Sequence, residues 1–291
     1  RVWQARDFPE LAEYLAAEKK PLDLATAAAL REKWWMPSVS RDGRSLAGVI
    51  LPGLSSGREV AYTLCARATL RGASGDFAGF LSDVTAVKHL ARHVAHEALI
   101  GVLVAMVIDQ AADQAIAAVA AQGNLTAAQI GGIDKLLEAT GRIDGVHEMV
   151  DLEERWAVLD TAAQLAIGRT PITGEEPGFT GLDPGRVDWD TVLRHLNAEV
   201  DDQARILDIA DPAQQTAAWK ARNERLHAAG ADAPPDPAAN AAPKAGESRA
   251  AYTQRIGRLI DAEIVPTLDR TGTLRQREIL AHELTRTFMA A

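Results

Sequence analysis

Eleven apolar residues, ALIGVLVAMVI from Ala98 to Ile108, run unbroken between Glu97 and Asp109. Such a run is too short to cross a bilayer as a helix, which takes about 20 residues. A helix that is apolar on nearly all sides has to be enclosed by other helices. The stretch therefore predicts a central core helix, with Leu103 inside it, in a chain that supplies neighbours to cover it.

The remaining residues fit that demand. Hydrophobic residues make up 47% of the chain but aromatics only 5%. Ala and Leu lose little side-chain freedom in a helix, while the aromatics that favour strands are scarce. At 291 residues the chain can bury a full core in one or two domains. A net charge of -9 argues against a nucleic-acid or anionic-membrane binder, whose affinity comes from Lys and Arg neutralising phosphates. Cys65 stands alone, so an intrachain disulfide or a cysteine-based zinc site is out of reach. A lone cysteine suits the cytoplasm and an exported protein equally. The chain begins at Arg1, which suggests that a leader, tag or anchor has been removed. It ends on LTRTFMAA, which has helical character and no stop signal.

Helix ends are marked along most of the chain. Pro9 opens a helix over 9–18, and Asp23 is placed to cap one from Leu24 to Trp35. SVSRDGRSLAGVILPG, near 38–52, fits a small β-hairpin or an extended loop. Ser56-Gly-Arg-Glu59 reads as a capping box for a helix to about Leu70, and Phe77 starts the next. A long helix is expected from about Asp83 to Ala121, as the organising element. Thr126 caps a helix to Thr140, Asp144 to Ile167 is helical, and the Gly- and Pro-rich stretch 168–187 is a long loop. Asp188 and Asp211-Pro212 open two further helices. These elements predict a helical array over 1–232, a Pro/Ala-rich linker or insertion over 233–246, and a C-terminal helical hairpin over 247–291 packing on the array.

The tempting motifs have plain readings. His89, His93 and His96 fall on one helical stripe, with Glu97 beside the last. The outer two would lie roughly 10 Å apart along a helix axis, too far for one zinc to bind all three. HEALI also misses HExxH, because Ile100 stands where the second histidine belongs. A polar helix border is the expected role. Gly53-Leu-Ser55-Ser-Gly57 matches the GxSxG of a nucleophile elbow, but that turn needs a parallel sheet for which the chain offers no strands. Glu224-Arg-Leu-His227 has the spacing of a di-iron ligand pair, yet no second such pair exists in the sequence. Asp109 with Asp113, and Glu153 and Glu154 with Asp160, are expected on solvated faces or paired to Arg155 and Lys135. No catalytic, cofactor-binding or metal-ligating residue is assigned, and no cofactor is expected.

RATLRGASGDFAGFLSDVTAVKHLARH, a helix, a Gly-Asp turn and a second helix with small packing residues, resembles a single tetratricopeptide-type hairpin. On a wider scale GREVAYTLCARATLRGASGDFAGFLSDVTAVKHLARH, ALIGVLVAMVIDQAADQAI, LEERWAVLD and VDWDTVLRHLN occur in order across 57–197. In these segments the chain resembles a family of uncharacterised bacterial proteins, best represented among planctomycetes. Such proteins usually carry an N-terminal membrane anchor and continue beyond the equivalent of FMAA. The resemblance implies an all-α fold and an exported or membrane-anchored location, and it carries over no catalytic residue.

The expected protein is an irregular antiparallel helical array with a tetratricopeptide-like hairpin and at most one small β-hairpin. The expected function is non-enzymatic: a structural or scaffold protein acting through protein–protein contacts, with a protein partner or a second copy of itself. Nucleic acid is not an expected partner, and a membrane only through an anchor. The reading from another class is a metal-dependent enzyme with a site around His89, His93 and Glu97.

Overall fold

Three of the capping residues that the sequence marks, Thr126, Asp188 and Asp211, begin helices, and Asp76 begins another. Asp76, Thr126, Asp188 and Asp211 each accept a backbone N–H three residues on, satisfying donors that a helix start leaves free. The computed structural model describes residues 2–35, 39–40, 46, 49–51, 53–95, 98–143, 146–169, 179, 181–230, 241–264 and 285. Its architecture is all-α. The helices are α1 (Pro9–Ala17), α2 (Lys19–Ala29), α3 (Gly53–Ala73), α4 (Phe77–Val94), α5 (Leu99–Ala120), α6 (Ala127–Thr140), α7 (Val146–Met149), α8 (Arg155–Ala166), α9 (Trp189–Leu207), α10 (Pro212–Gly230) and α11 (Arg249–Ile264). Val150–Glu154 joins α7 to α8 by a π-type turn. Val39–Ser40 (β1) pairs antiparallel with Val49–Ile50 (β2), in the region expected to hold a hairpin or loop.

Two compact units divide the chain. The first takes Arg1–Pro37, Pro52–Gly145 and Thr273–Ala291; the second takes Ser38–Leu51 and Val146–Gly272. The division falls inside the stretch 1–232 that was expected to form one array, because each unit closes a core of its own. The helix expected from 273 onward lies outside the described residues, apart from Thr285.

In the first unit α3, α4 and α5 pack against one another, with α2 and α6 against α4. Gly75, at φ 82°, makes the left-handed turn between α3 and α4 that other residues avoid. At Gly72 a Cβ would stand 2.5 Å from Val119 Cγ2, so only glycine lets α3 approach α5 this closely.

The expected helix over 83–121 is instead two helices, α4 and α5, folded back on each other. In one straight helix Lys88 and Asp109 would lie roughly 30 Å apart. Here Lys88 Nζ sits 2.9 Å from Asp109 Oδ2 and 2.7 Å from Asp113 Oδ1. Lys88 and Asp109 have no solvent exposure, so the fold-back buries an ion pair that one straight helix could not form. Ala98 is extended at φ 177°, ψ 172°, before α5 begins. The apolar run is also enclosed on one side only: Val102, Ala105, Met106 and Ile108 are buried, whereas Leu103 is half-buried and Ile100 exposed.

Two expected caps lie inside helices. α3 begins at Gly53, which puts Ser56 in its first turn, and α2 begins at Lys19, which puts Asp23 at mid-helix. Asp23 is held there by charge instead, 2.6 Å from Lys19 and 2.9 Å from Arg67.

The core of the second unit gathers Val158 and Leu165 from α8, Val192 and Leu196 from α9, and Tyr252, Ile256 and Ile260 from α11, with Phe179 and Val187 from the long loop. Tyr252 ties the irregular segments to this core. Its hydroxyl accepts from Asp183 N at 2.9 Å and donates to Ala241 O at 2.7 Å. The guanidinium groups of Arg186 and Arg255 lie 5.5 and 5.2 Å from its ring centre, within cation–π range. The stretch read as a linker or insertion is anchored at its described end: Ala241 is buried, and Ala242 O accepts from Arg255. Residues 231–240 lie outside the described set.

Arg255 also grips Glu247 with two hydrogen bonds, at 2.9 and 2.8 Å. Those bonds pull the Glu247 carboxyl from its ordinary 4.5 down to about 2. A depressed carboxyl pKa contributes stability above the unfolded value and loses it as pH falls through the folded one. Glu247→Gln should therefore destabilise the second unit by about 1–2 kcal/mol above pH 4.5. The deficit should vanish as pH approaches 2. Urea unfolding of both proteins across that range tests this, and a deficit independent of pH would remove the ion pair as its cause.

Candidate functional site

The described residues among those singled out by sequence are held by local partners. His93 Nε2 is hydrogen-bonded to Ala29 O at 2.9 Å, and its ring stacks on Trp34 with centres 5.1 Å apart. Burial first, and then His93 and Arg92, lower the pKa of the neighbouring His89. His96 and Glu97 lie outside the described residues, as does the side chain of His227. Glu224 is exposed and 3.8 Å from Lys220. Gly53 to Gly57 form the first turn of α3 rather than a strand-to-helix elbow. The Cys65 thiol is pushed up to about 12 by burial and by Asp83, which leaves it protonated and a poor nucleophile.

Asp109 and Asp113 are not on a solvated face. They are buried, and their partners are Lys88 and, for Asp109, Arg92, rather than Arg155 or Lys135. Arg155 instead pairs with Asp151 and Asp201. Asp160 accepts from Leu46 N at 2.9 Å, which ties the β-hairpin region to α8. These charges hold helices together.

A different cluster stands out in the second unit. His195 and Glu199 lie one turn apart on α9, at the i, i+4 spacing that brings two side chains together on a helix face. Asp261 joins them from α11, and one ligand atom from each of the three lies within 4.8 Å of the others. His195 Nε2 is 3.9 Å from Asp261 Oδ2. From α10, Arg222 Nη2 lies 3.4 Å from Glu199 Oε2 and 3.8 Å from Asp261 Oδ1. Arg225 sits 3.6 Å from Glu199 and 2.6 Å from Asp202. Asp261 is buried, and its pKa is pushed up to about 6 by that burial and then by the nearby Glu199. No protein hydrogen bond reaches His195 Nε2, Asp261 Oδ1 or Arg222 Nε, although all three are buried.

His195 opens on a cleft of about 290 Å³, which Thr191, Thr253, Gln254 and Arg258 also line. Gly257, one turn before Asp261 on α11, makes room for the imidazole: its Cβ position is 3.4 Å from His195 Cδ2.

No family model, no curated protein and no solved structure matches this chain.

The cluster was legible in part. His195-Leu-Asn-Ala-Glu199 has the spacing of a helical ligand pair, a sparser signal than the histidine run at 89–96. Asp261 and Arg222 carry no local signal, because only the packing of α10 and α11 beside α9 brings them near. Among the described residues, one helix is long and apolar enough to cross a membrane, α5, with a mean hydropathy of 1.6 over its best window. Its buried carboxylates and their Lys88 partner fit a core helix.

Proposed function

We propose that this chain is a non-enzymatic structural or scaffold protein that works through protein–protein contacts, and that it binds a second copy of itself. One observation carries the reading: large apolar side chains are left exposed along one short segment of the first unit, residues 8–35. Phe8, Tyr14, Leu24, Leu30, Trp34 and Trp35 all lie within α1, α2 and the residues beside them, with Leu24 63% and Trp35 81% exposed. Single exposed apolar residues are ordinary on protein surfaces, but such a concentration with Trp and Tyr marks interaction surfaces.

The charges on this segment favour a second copy. Glu10, Glu13 and Glu18 precede Lys19 and Lys20, and Arg31 and Lys33 follow. A two-fold interface pairs each patch with its own counterpart, so a surface carrying both signs can complement itself. The resemblance to planctomycete-type proteins supports an exported or surface setting, and the tetratricopeptide-like pattern over 67–93 supports a role in assembly.

Sedimentation of the purified chain tests the proposal. The wild-type chain should form dimers or larger species at micromolar concentration, and Leu24→Asp with Trp35→Asp should return it to monomers of unchanged helicity. A wild-type chain that stays monomeric at high concentration, or an oligomer that the two changes leave intact, would overturn it.

A further inference from the structure

We propose that His195, Glu199 and Asp261 form a binding site for a divalent metal ion of the zinc class, held between α9 and α11 beside the cleft. This goes beyond the scaffold reading and stands apart from it. An imidazole nitrogen and two carboxylates are the donor types that zinc takes in helical proteins. Two come from one helix at i, i+4 and the third from a packed neighbour, so most of the positioning is done by backbone that is already fixed.

The second observation is the state of the polar atoms. Buried polar groups are almost always hydrogen-bonded, and one that is not calls for an ion or a water. Among the described residues nothing hydrogen-bonds to Oδ1 of Asp261, which is 3% exposed and which Arg222 approaches at 3.8 Å, or to the buried His195 Nε2, which faces Asp261 Oδ2 at 3.9 Å. Ligand atoms around one zinc lie roughly 3.3 Å apart when each bond is about 2.0–2.1 Å. The three side chains need to close by roughly 1 Å to meet that geometry.

Arg222 fits as a supporting group rather than a competitor. At 3.4 and 3.8 Å it is a looser partner than the 2.7–2.9 Å typical of strong charge-assisted bonds. It stands beside the carboxylates of Glu199 and Asp261, where a cation can hold them in place around an ion. The half-exposed His195 opens on the cleft, which gives an ion a route in and leaves a coordination position for water or a small ligand.

The test titrates the full chain, stripped with a chelator and dialysed, with zinc chloride at neutral pH by calorimetry. One equivalent should bind with a Kd below about 10 μM. His195→Ala and Asp261→Asn should each weaken binding at least about tenfold. His89→Gln with His93→Gln should leave it unchanged. Circular dichroism checks each variant for folding, and the half-exposed His195 makes its replacement the decisive one should Asp261→Asn fail to fold. No saturable uptake, uptake that survives His195→Ala, or uptake lost in the His89/His93 variant would each overturn the site. Oligomeric state does not enter the measurement, so its outcome is independent of the docking surface.

Discussion

Lys88→Met should cost the first unit about 3–5 kcal/mol, a large share of what holds a domain of this size together. Lys88 has no exposure and neutralises two buried carboxylates, Asp109 at 2.9 Å and Asp113 at 2.7 Å. Methionine fills a similar volume, so a cavity is not the cause. The cost comes from removing the lysine that neutralises both buried carboxylates, with Arg92 still facing Asp109. Urea unfolding followed by circular dichroism measures it, with the exposed Lys220→Met as a control expected within about half a kcal/mol. Adding Asp109→Leu and Asp113→Leu to the variant should recover part of the loss, since an apolar core without the charges is often as stable as one with them. A loss below about 1 kcal/mol for the single change would mean that the pair is not desolvated, and the fold-back of α4 on α5 would need another explanation.

That pair also shows where reading the sequence runs out. Local chemistry is enough to place Pro9, Phe77, Thr126, Asp188 and Asp211 at helix starts, because start signals act within a few residues. The break between α4 and α5 falls in AHEA, which contains neither Gly nor Pro, so nothing in the chain announces it. Lys88 and the two aspartates meet only when the helices run side by side, a contact between residues at least 21 positions apart. Asp109 and Asp113 look like a solvated face for the same reason: whether a charge is buried depends on partners distant in sequence. Tyr252 reads as one tyrosine among three, yet its hydroxyl joins two irregular segments to the core. In the candidate metal cluster, His195 and Glu199 share a visible spacing, whereas Asp261 arrives through tertiary packing alone.

Asp83→Ala should be the other severe change, costing about 3–5 kcal/mol and loosening the N-terminal helices in particular. Asp83 is fully buried and accepts both arms of the Arg67 guanidinium, Nε at 3.0 Å and Nη2 at 2.7 Å, with Arg71 Nη1 at 2.9 Å. This two-pronged geometry fixes the plane of the guanidinium. The fixed plane in turn directs Nη1 to Asp23 at 2.9 Å and Nη2 to Thr26 Oγ1 at 3.1 Å, both on α2. Without Asp83 the Arg67 charge is left buried against a single half-exposed carboxylate, and the fork that docks α2 loses its anchor. Amide hydrogen exchange should then accelerate over Lys19–Ala29 well before it does over the buried turns of α5. Arg67→Met combined with Asp83→Leu separates charge from docking: it should restore much of the global stability while α2 stays fast-exchanging. Uniform acceleration across the unit in Asp83→Ala would show that Asp83 contributes stability without positioning α2. If α2 also carries the self-association surface, its loosening should weaken the dimer before the unit itself unfolds.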